Sequence, residues 1–324
     1  MFSIVVPLWN KRDTVRETVE SALAQTYDDF ELIVVDDGST DDSLAMLAGV
    51  DDPRLRILRQ PNGGAGLARN AGIAAATADW IAFLDADDLW LPDHLAELDR
   101  IRTRFPQAGL IGTAYVQADG SGAYPPPCRA PGMLQEINFF ERIAPGEPAL
   151  SSSSAAVSRR TVETVGDFPA DRLGQDMRYW MRIALAMPVA VSTRRTAIYR
   201  PLPTGLSASM GSLWRGRTLS GPRDVSHRIA FLLDRYDAAP AALKPGIDGF
   251  IDRDFRWCLR DSARDGDLAT IRALRPLYLR RPRGADRLLL GAARLLPVPA
   301  ARFLYRSAAA IIPPLRRAVR KLRG

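Results

Sequence analysis

Over the first hundred residues, short apolar runs alternate with stretches of helical periodicity. Ser3-Ile4-Val5-Val6-Pro7 reads as a short buried strand, and Val15, Val19, Ala22 and Leu23 then recur at helical spacing. Glu31 to Val35 is a second β-rich run, closed by Asp36-Asp37-Gly38-Ser39. Ser39 or Thr40 is placed to cap a helix carrying Leu44 and Leu47. Arg54 to Leu58 alternates like a strand, Gly66 to Ala76 is alanine-rich and helical, and Trp80 to Leu84 is a further strand followed by an acidic turn. Pro92 stands at a first helical position ahead of Leu95, Leu98, Ile101 and Phe105. Strands alternating with helices imply crossover units and a mainly parallel sheet flanked by helices, an α/β fold.

Past this region the pattern changes. Residues 118–150 are rich in Gly and Pro and predict a long loop. Ser151 to Ser154 begins a polar stretch that returns to structure near Ala155, and from about residue 215 the chain reads as helical. No internal repeat is found.

Composition narrows the class. With 47% hydrophobic and 25% charged residues, the 324-residue chain can bury a sizeable core. Cys128 and Cys258 have no paired spacing, which argues against a disulfide framework or zinc site and fits a reducing compartment. Phe2 to Trp9 is apolar but lacks the flanks of a leader, and no apolar run reaches the length of a span. The net charge of +7 is uneven. From Arg280 onward twelve basic residues face one acid, Asp286, so this segment carries +11 and residues 1–279 carry −4. Such a tail suits an anionic partner, membrane or nucleic acid; a solvated helical tail is the plainer alternative.

Two acidic clusters fall where strands end, the place where sheets of this type bind ligands. Asp85-Ala86-Asp87 pairs two hard oxygen donors, enough to hold Mg²⁺ or Mn²⁺ while leaving positions for phosphate oxygens and water. A solvated turn capping the next helix is the alternative. Asp36-Asp37 can offer a carboxylate to a base ring N–H, or the segment can simply supply what a tight turn needs.

In ordered succession, Ser3 to Asn10, Leu32 to Asp41, Asn62 to Gly72, Phe83 to Asp88 and Gly174-Gln175-Asp176 with Trp180 resemble the family 2 glycosyltransferases, inverting enzymes of the GT-A fold. The resemblance fades after about Ser209. It implies a GT-A catalytic domain over residues 1–214 and a helical extension over 215–324. It further implies that Pro7 lines a base pocket, that Asp37 with Asp36 meets the base or ribose of a nucleotide, UDP most often, and that Arg69 lies near the nucleotide or its phosphates. By the same resemblance Asp85 faces the ribose and metal region, Asp87 coordinates Mn²⁺ or Mg²⁺, and Asp176 is the general base. Many relatives carry Glu-Asp where this chain has Gln175-Asp176, so the first carboxylate of that pair is missing.

The implied partners are a nucleotide-sugar donor and a glycan or lipid-linked glycan acceptor in cell-surface polysaccharide synthesis, with no nucleic acid. The implied setting is the cytoplasm. Ala300 to Ile312 and the arginines after it suit an interfacial helix at the inner face of the cytoplasmic membrane, or a helical subdomain with exposed arginines. Tyr199-Arg200, leading to Ser207 and Ser209, resembles a stretch that closes over the site; Arg200 there can meet diphosphate or be an ordinary strand-end arginine. Asn62 to Gly66 is glycine-rich without being a Walker loop, and His94 and His227 read as surface or cap residues. A nucleotidyltransferase of similar fold and a non-catalytic nucleotide-sugar-binding protein are the competing readings; Gln175 keeps the second open.

Overall fold

A computed structural model describes residues 1–118, 132–143, 150–171, 174–201, 224–265 and 267–277. The chain divides into two compact units, Met1–Ile143 with Glu147–Ala208, and Ala144–Gly146 with Ser209–Gly324.

In the first unit the predicted alternation appears as β1 (Phe2–Leu8), α1 (Val15–Leu23), β2 (Phe30–Asp36), β3 (Leu55–Arg59), α2 (Ala65–Ala75), β4 (Trp80–Phe83), β5 (Leu89–Trp90) and α3 (His94–Arg104). Then follow β6 (Leu110–Gln117), β7 (Leu134–Ile137), α4 (Phe139–Ile143), β8 (Ala155–Ser158), α5 (Arg159–Val165), α6 (Gln175–Ala186) and β9 (Val189–Tyr199). Among the described residues the sheet has nine strands, ordered β3-β2-β1-β4-β8-β6-β9-β5, with β7 added against β9. β3, β2, β1 and β4 are mutually parallel. β8 is antiparallel to both β4 and β6, and β6 and β9 run parallel. The sheet is therefore α/β and mixed, with its parallel ladder concentrated at the end where the acidic turns lie.

The core follows from the apolar runs. Phe2, Ile4, Val6, Leu8, Leu32, Val34 and Ala82 pack with Val15 and Val19 of α1 and Leu95, Leu98 and Ile101 of α3. On the other face α2 lies so close to β1 that a Cβ at Gly72 would come within 2.3 Å of Val5 Cγ1, and only glycine fits.

Three local expectations change. The helix after Asp41 shrinks to a single 3₁₀ turn, Ala45–Leu47, because Asp41 accepts from Ser43 N at 2.9 Å and fixes a tight turn there. The segment 118–150 is not wholly loop: β7 and α4 lie in it, and Phe139, Phe140 and Ile143 are buried. α3 begins at His94, two residues after Pro92.

The second unit is helical where it is described: α7 (His227–Arg235), α8 (Lys244–Asp265) and α9 (Leu268–Leu277). Ser226 caps α7 by accepting from Ile229 N at 3.1 Å. Ile229, Leu232, Ile247, Phe250, Phe255, Cys258 and Ile271 form its buried side. Cys128, Ser207, Ser209 and the basic segment 280–324 lie outside the described residues. Among the described residues no helix is long and apolar enough to cross a membrane.

Candidate active site

The chain runs outward from β1 through β2 to β3, then returns to place β4 on the other side of β1. Strand order reverses at this point, and in sheets of this type ligands bind beyond the carboxyl ends of the strands on either side of such a reversal. Pairing of β1 with β2 continues to Leu8 and Asp36, and Asp37 N still donates to Leu8 O at 2.8 Å. Pairing with β4 stops earlier, at Val5, whose carbonyl accepts from Leu84 N at 3.1 Å. Pro7 addresses the same side as Val5 by strand alternation. Its missing N–H therefore falls where the ladder has already parted, which is how proline is tolerated in a central strand.

The two acids after β2 do different jobs. The carboxylate of Asp37, 2% exposed, accepts from Gln60 Nε2 (2.7 Å), Gly63 N (2.9 Å) and Gly64 N (2.7 Å). It moors the glycine-rich loop ahead of α2, and Gly64 donates from φ +93°, a conformation that favours glycine. Asp36 uses Oδ1 on Ser39 N at 3.0 Å. Asn10, with φ 50°, closes the turn from the other side by accepting from Thr40 N at 2.8 Å. Trp9 stands beside it at the end of β1, half exposed.

On α2, Arg69 is buried and ion-paired to Asp85 Oδ1. Its Nε and Nη1 have no hydrogen-bond partner, and its guanidinium carbon lies 5.4 Å from the centroid of the Phe168 ring. Asn70 fixes that ring by a reciprocal pair, donating to Phe168 O at 3.0 Å and accepting from Phe168 N at 2.9 Å.

After β4, Asp87 pairs through Oδ2 with Lys11 Nζ at 2.6 Å. Asp88 is buried, accepting from Arg200 N at 2.8 Å and Ser153 Oγ at 2.5 Å. Burial first, then the neighbouring charges of Asp85 and Asp87, push its carboxyl well above the usual range. Arg200 places its side chain on Asp87 O, Glu17 and Thr18. His94 is not a surface residue. It is fully buried, stacked on Trp90 at 4.2 Å and bonded to Thr196 Oγ1 at 2.7 Å.

The 3₁₀ turn Ser152–Ser154 ahead of β8 connects these groups to α6. Ser153 Oγ accepts from Asp85 N at 3.1 Å, and Ser152 Oγ donates to Asp176 Oδ2 at 3.1 Å. Asp176, in the first turn of α6, also accepts from its neighbour Met177 N at 2.7 Å. Gln175 is buried, with Cγ 3.3 Å from the Cβ position of Gly66. Asp85, Asp88 and Asp176 are thus joined through the Ser152–Ser153 turn, while Asp37 stays with the glycine-rich loop.

A divalent cation fits this donor set only in part. Among the described residues no three His, Cys, Asp or Glu side chains converge as a metal cluster. Asp85 and Asp87 present two hard oxygen donors on one turn, each paired here with a protein cation, Arg69 and Lys11; Mg²⁺ beside a nucleotide is commonly held by one or two carboxylates with phosphate oxygens and water.

The family model described as "Glycosyl transferase family 2" matches residues 3–166, about half the chain. The chain belongs to this glycosyltransferase family. It is 43% identical over 109 residues to the succinoglycan biosynthesis protein ExoW of Rhizobium meliloti (strain 1021), covering 32% of this chain and 34% of that one. It is 40% identical over 98 residues to an Escherichia coli protein, UDP-Glc:alpha-D-GlcNAc-diphosphoundecaprenol beta-1,3-glucosyltransferase WfaP, covering 30% and 39%. The chain thus spans about a third of the length of these curated relatives. Among solved structures, S. aureus TarS 1-349 in complex with UDP-GlcNAc superposes with a TM-score of 0.64 at 18% identity, over 95% of this chain and 90% of that one. The mannosyltransferase PcManGT from Pyrobaculum calidifontis, in complex with GDP-Man and Mn2+, gives 0.62 at 21%, over 96% and 80%. Both likenesses establish the GT-A fold of this glycosyltransferase family member.

Proposed function

We propose that this family 2 member transfers a sugar from a nucleoside diphosphate, UDP by preference, to a hydroxyl of a glycan or lipid-linked acceptor, with inversion. The observation that carries the reading is the link from Asp85 through the Ser152–Ser153 turn to Asp176. It joins the paired-carboxylate turn after β4 to the half-buried carboxylate of Asp176 in the first turn of α6. The roles of the relatives support the substrate class: WfaP is named for a UDP-glucose donor and a diphosphoundecaprenol acceptor, and the superposed structures hold UDP-GlcNAc and GDP-Man.

On this reading Pro7, Asp36 and Asp37 take the base and ribose, with Trp9 half exposed beside them; Asp36 spends only Oδ1 in its own turn, and the Asp37 carboxylate stands at the loop of Gly63 and Gly64. Asp85 and Asp87 hold a divalent cation, which when bound supplies Lewis-acid stabilisation of the leaving diphosphate. Asp176 takes the proton of the acceptor hydroxyl as its oxygen attacks the anomeric carbon. The bond from that carbon to the diphosphate oxygen breaks, and the electron pair leaves with the nucleotide. One displacement inverts the carbon, so no protein nucleophile is required. Catalysis belongs to residues 1–214. Residues 215–324 are the extension, helical where it is described, whose basic end meets an anionic membrane surface from the cytoplasmic side.

A panel of UDP-, GDP- and dTDP-sugars screened by thermal shift, with and without Mn²⁺, tests the donor. A UDP-sugar should raise the unfolding midpoint most, and more with Mn²⁺ than without, because a ligand of the folded state stabilises it. A panel without any shift would remove the proposal.

A further inference from the structure

Both carboxylates of the Asp85-Ala86-Asp87 turn already carry a protein cation, and the two cations differ in what they are free to do. Arg69 is 3% exposed and lies over the Phe168 ring, which the Asn70–Phe168 pair fixes. Its planar fork cannot leave Asp85 without leaving a buried charge unpaired. Lys11 is different. Its backbone is fixed, with N donating to Ser43 Oγ at 2.7 Å and its carbonyl accepting from Val15 N at 2.9 Å. Its ammonium sits on a four-carbon stem, in a pair whose side chains are 22% and 19% exposed, open enough to part and re-form.

We infer that Lys11 is an exchangeable counterion: it holds Asp87 until metal and donor arrive, then yields Asp87 to the metal and turns its ammonium to the donor's diphosphate. This rests on the reading of Asp87 as a metal ligand. The physical argument is competition. An ammonium 2.6 Å from Asp87 Oδ2 and a divalent cation compete for the same oxygen, so metal binding alone must first break the Lys11 pair. When the diphosphate is present the released ammonium gains a new anion at once. Metal and nucleotide then each favour the other's binding, and the coupling is reciprocal. The hydrogen bond from Asp85 N to Ser153 Oγ keeps the turn in place meanwhile, so the exchange needs only a lysine side-chain movement.

The test is Mn²⁺ binding, read from the free-ion electron paramagnetic resonance signal, with and without UDP. It uses the full chain and its Lys11→Met and Asp87→Asn variants at constant ionic strength. In the unmodified chain UDP should tighten Mn²⁺ binding. Lys11→Met should bind Mn²⁺ alone about three- to tenfold more tightly, as the loss of a partly exposed competing pair implies. Its gain from UDP should shrink by a similar factor. Asp87→Asn should lose most Mn²⁺ binding in both conditions. If Lys11→Met binds Mn²⁺ alone no more tightly than the unmodified chain while Asp87→Asn loses it, the counterion role is overturned and the metal reading stands. If Asp87→Asn binds Mn²⁺ unchanged, the metal reading fails and the counterion role with it. Lys11→Gln, measured alongside, supplies the same comparison should the methionine variant fold poorly.

Discussion

Ser152 Oγ lies 3.1 Å from Asp176 Oδ2 and donates a hydrogen bond to it, while the next residue of the same turn, Ser153, accepts from Asp85 N. The carboxylate proposed as general base is therefore oriented by the turn that orients the paired carboxylates. Asp176→Asn should keep donor affinity and lose transfer by about 10²–10⁴-fold, the usual worth of a general base. Ser152→Ala should be milder, about three- to tenfold in kcat with donor binding unchanged, the effect of one hydrogen bond of about 1 kcal/mol. Calorimetric donor titration beside steady-state rates separates the two. A donor affinity that collapsed in either variant would instead give these residues a structural role.

Arg69 and Asp85 make a second prediction, on stability. Asp85→Asn leaves the Arg69 guanidinium buried with Nε and Nη1 already without partners. Removing one member of such a pair costs about 3 kcal/mol, the low end of the buried range because Asp85 is a third exposed. Arg69→Met combined with Asp85→Asn should recover part of the loss. Urea unfolding of the single and double variants measures both, and a double variant less stable than either single one would contradict the account.

His94 gives a pH dependence. Burial pushes its pKa down to about 3, from an ordinary value of 6.5, so the folded chain keeps it neutral. The folded-state pKa is the lower one. Stability is therefore undiminished above pH 6.5 and is lost as pH falls toward 3, by about 1.4 kcal/mol for each pH unit. Between pH 7.5 and 5 the unmodified chain should lose about 2 kcal/mol more than His94→Asn, whose amide can retain the bond to Thr196. Parallel stability-against-pH curves would mean that the fold leaves the His94 pKa at its ordinary value.

Much of this was legible in the residues. The apolar runs at Ile4, Leu32 and Ile81 are buried β-strands because their periodicity has no competing pattern, and the acids that follow them sit beyond the strand ends for the same reason. Other features depend on contacts distant in sequence. Lys11 meets Asp87 across 76 positions, and Ser153 meets Asp88 across 65, so no local pattern marks them. The serine run at 151–154 was a visible signal, yet a polar run reads first as loop. β7 and α4 were hidden by the surrounding glycines and prolines, and His94 by its polar neighbours, although its partner Thr196 buries it from the far strand β9. Asp36 and Asp37 are adjacent in sequence, but only the loop at Gln60–Gly64 reveals that the Asp37 carboxylate moors it.

The basic segment supports a prediction on location. Its charge of +11 and the arginine-flanked apolar stretches from Leu288 to Leu315 suit a membrane surface without a span. Attraction to anionic lipid is worth about 1 kcal/mol per basic residue near the surface and weakens in salt. The full chain should float with anionic liposomes at low salt and release at high salt, and removal of residues 280–324 should abolish flotation. Equal flotation of the truncated chain would place the contact elsewhere.

The central claim is single-displacement sugar transfer, and the product's anomeric configuration tests it most directly. The measurement is proton NMR of the glycoside formed by the full chain from the donor selected in the thermal-shift panel, with Mn²⁺ and a diphosphate-lipid or oligosaccharide acceptor. The account predicts one new glycosidic bond per nucleoside diphosphate released, with the anomeric configuration opposite to the donor's. Retention of the donor's configuration, or release of pyrophosphate with the nucleotide left on the acceptor, would contradict it.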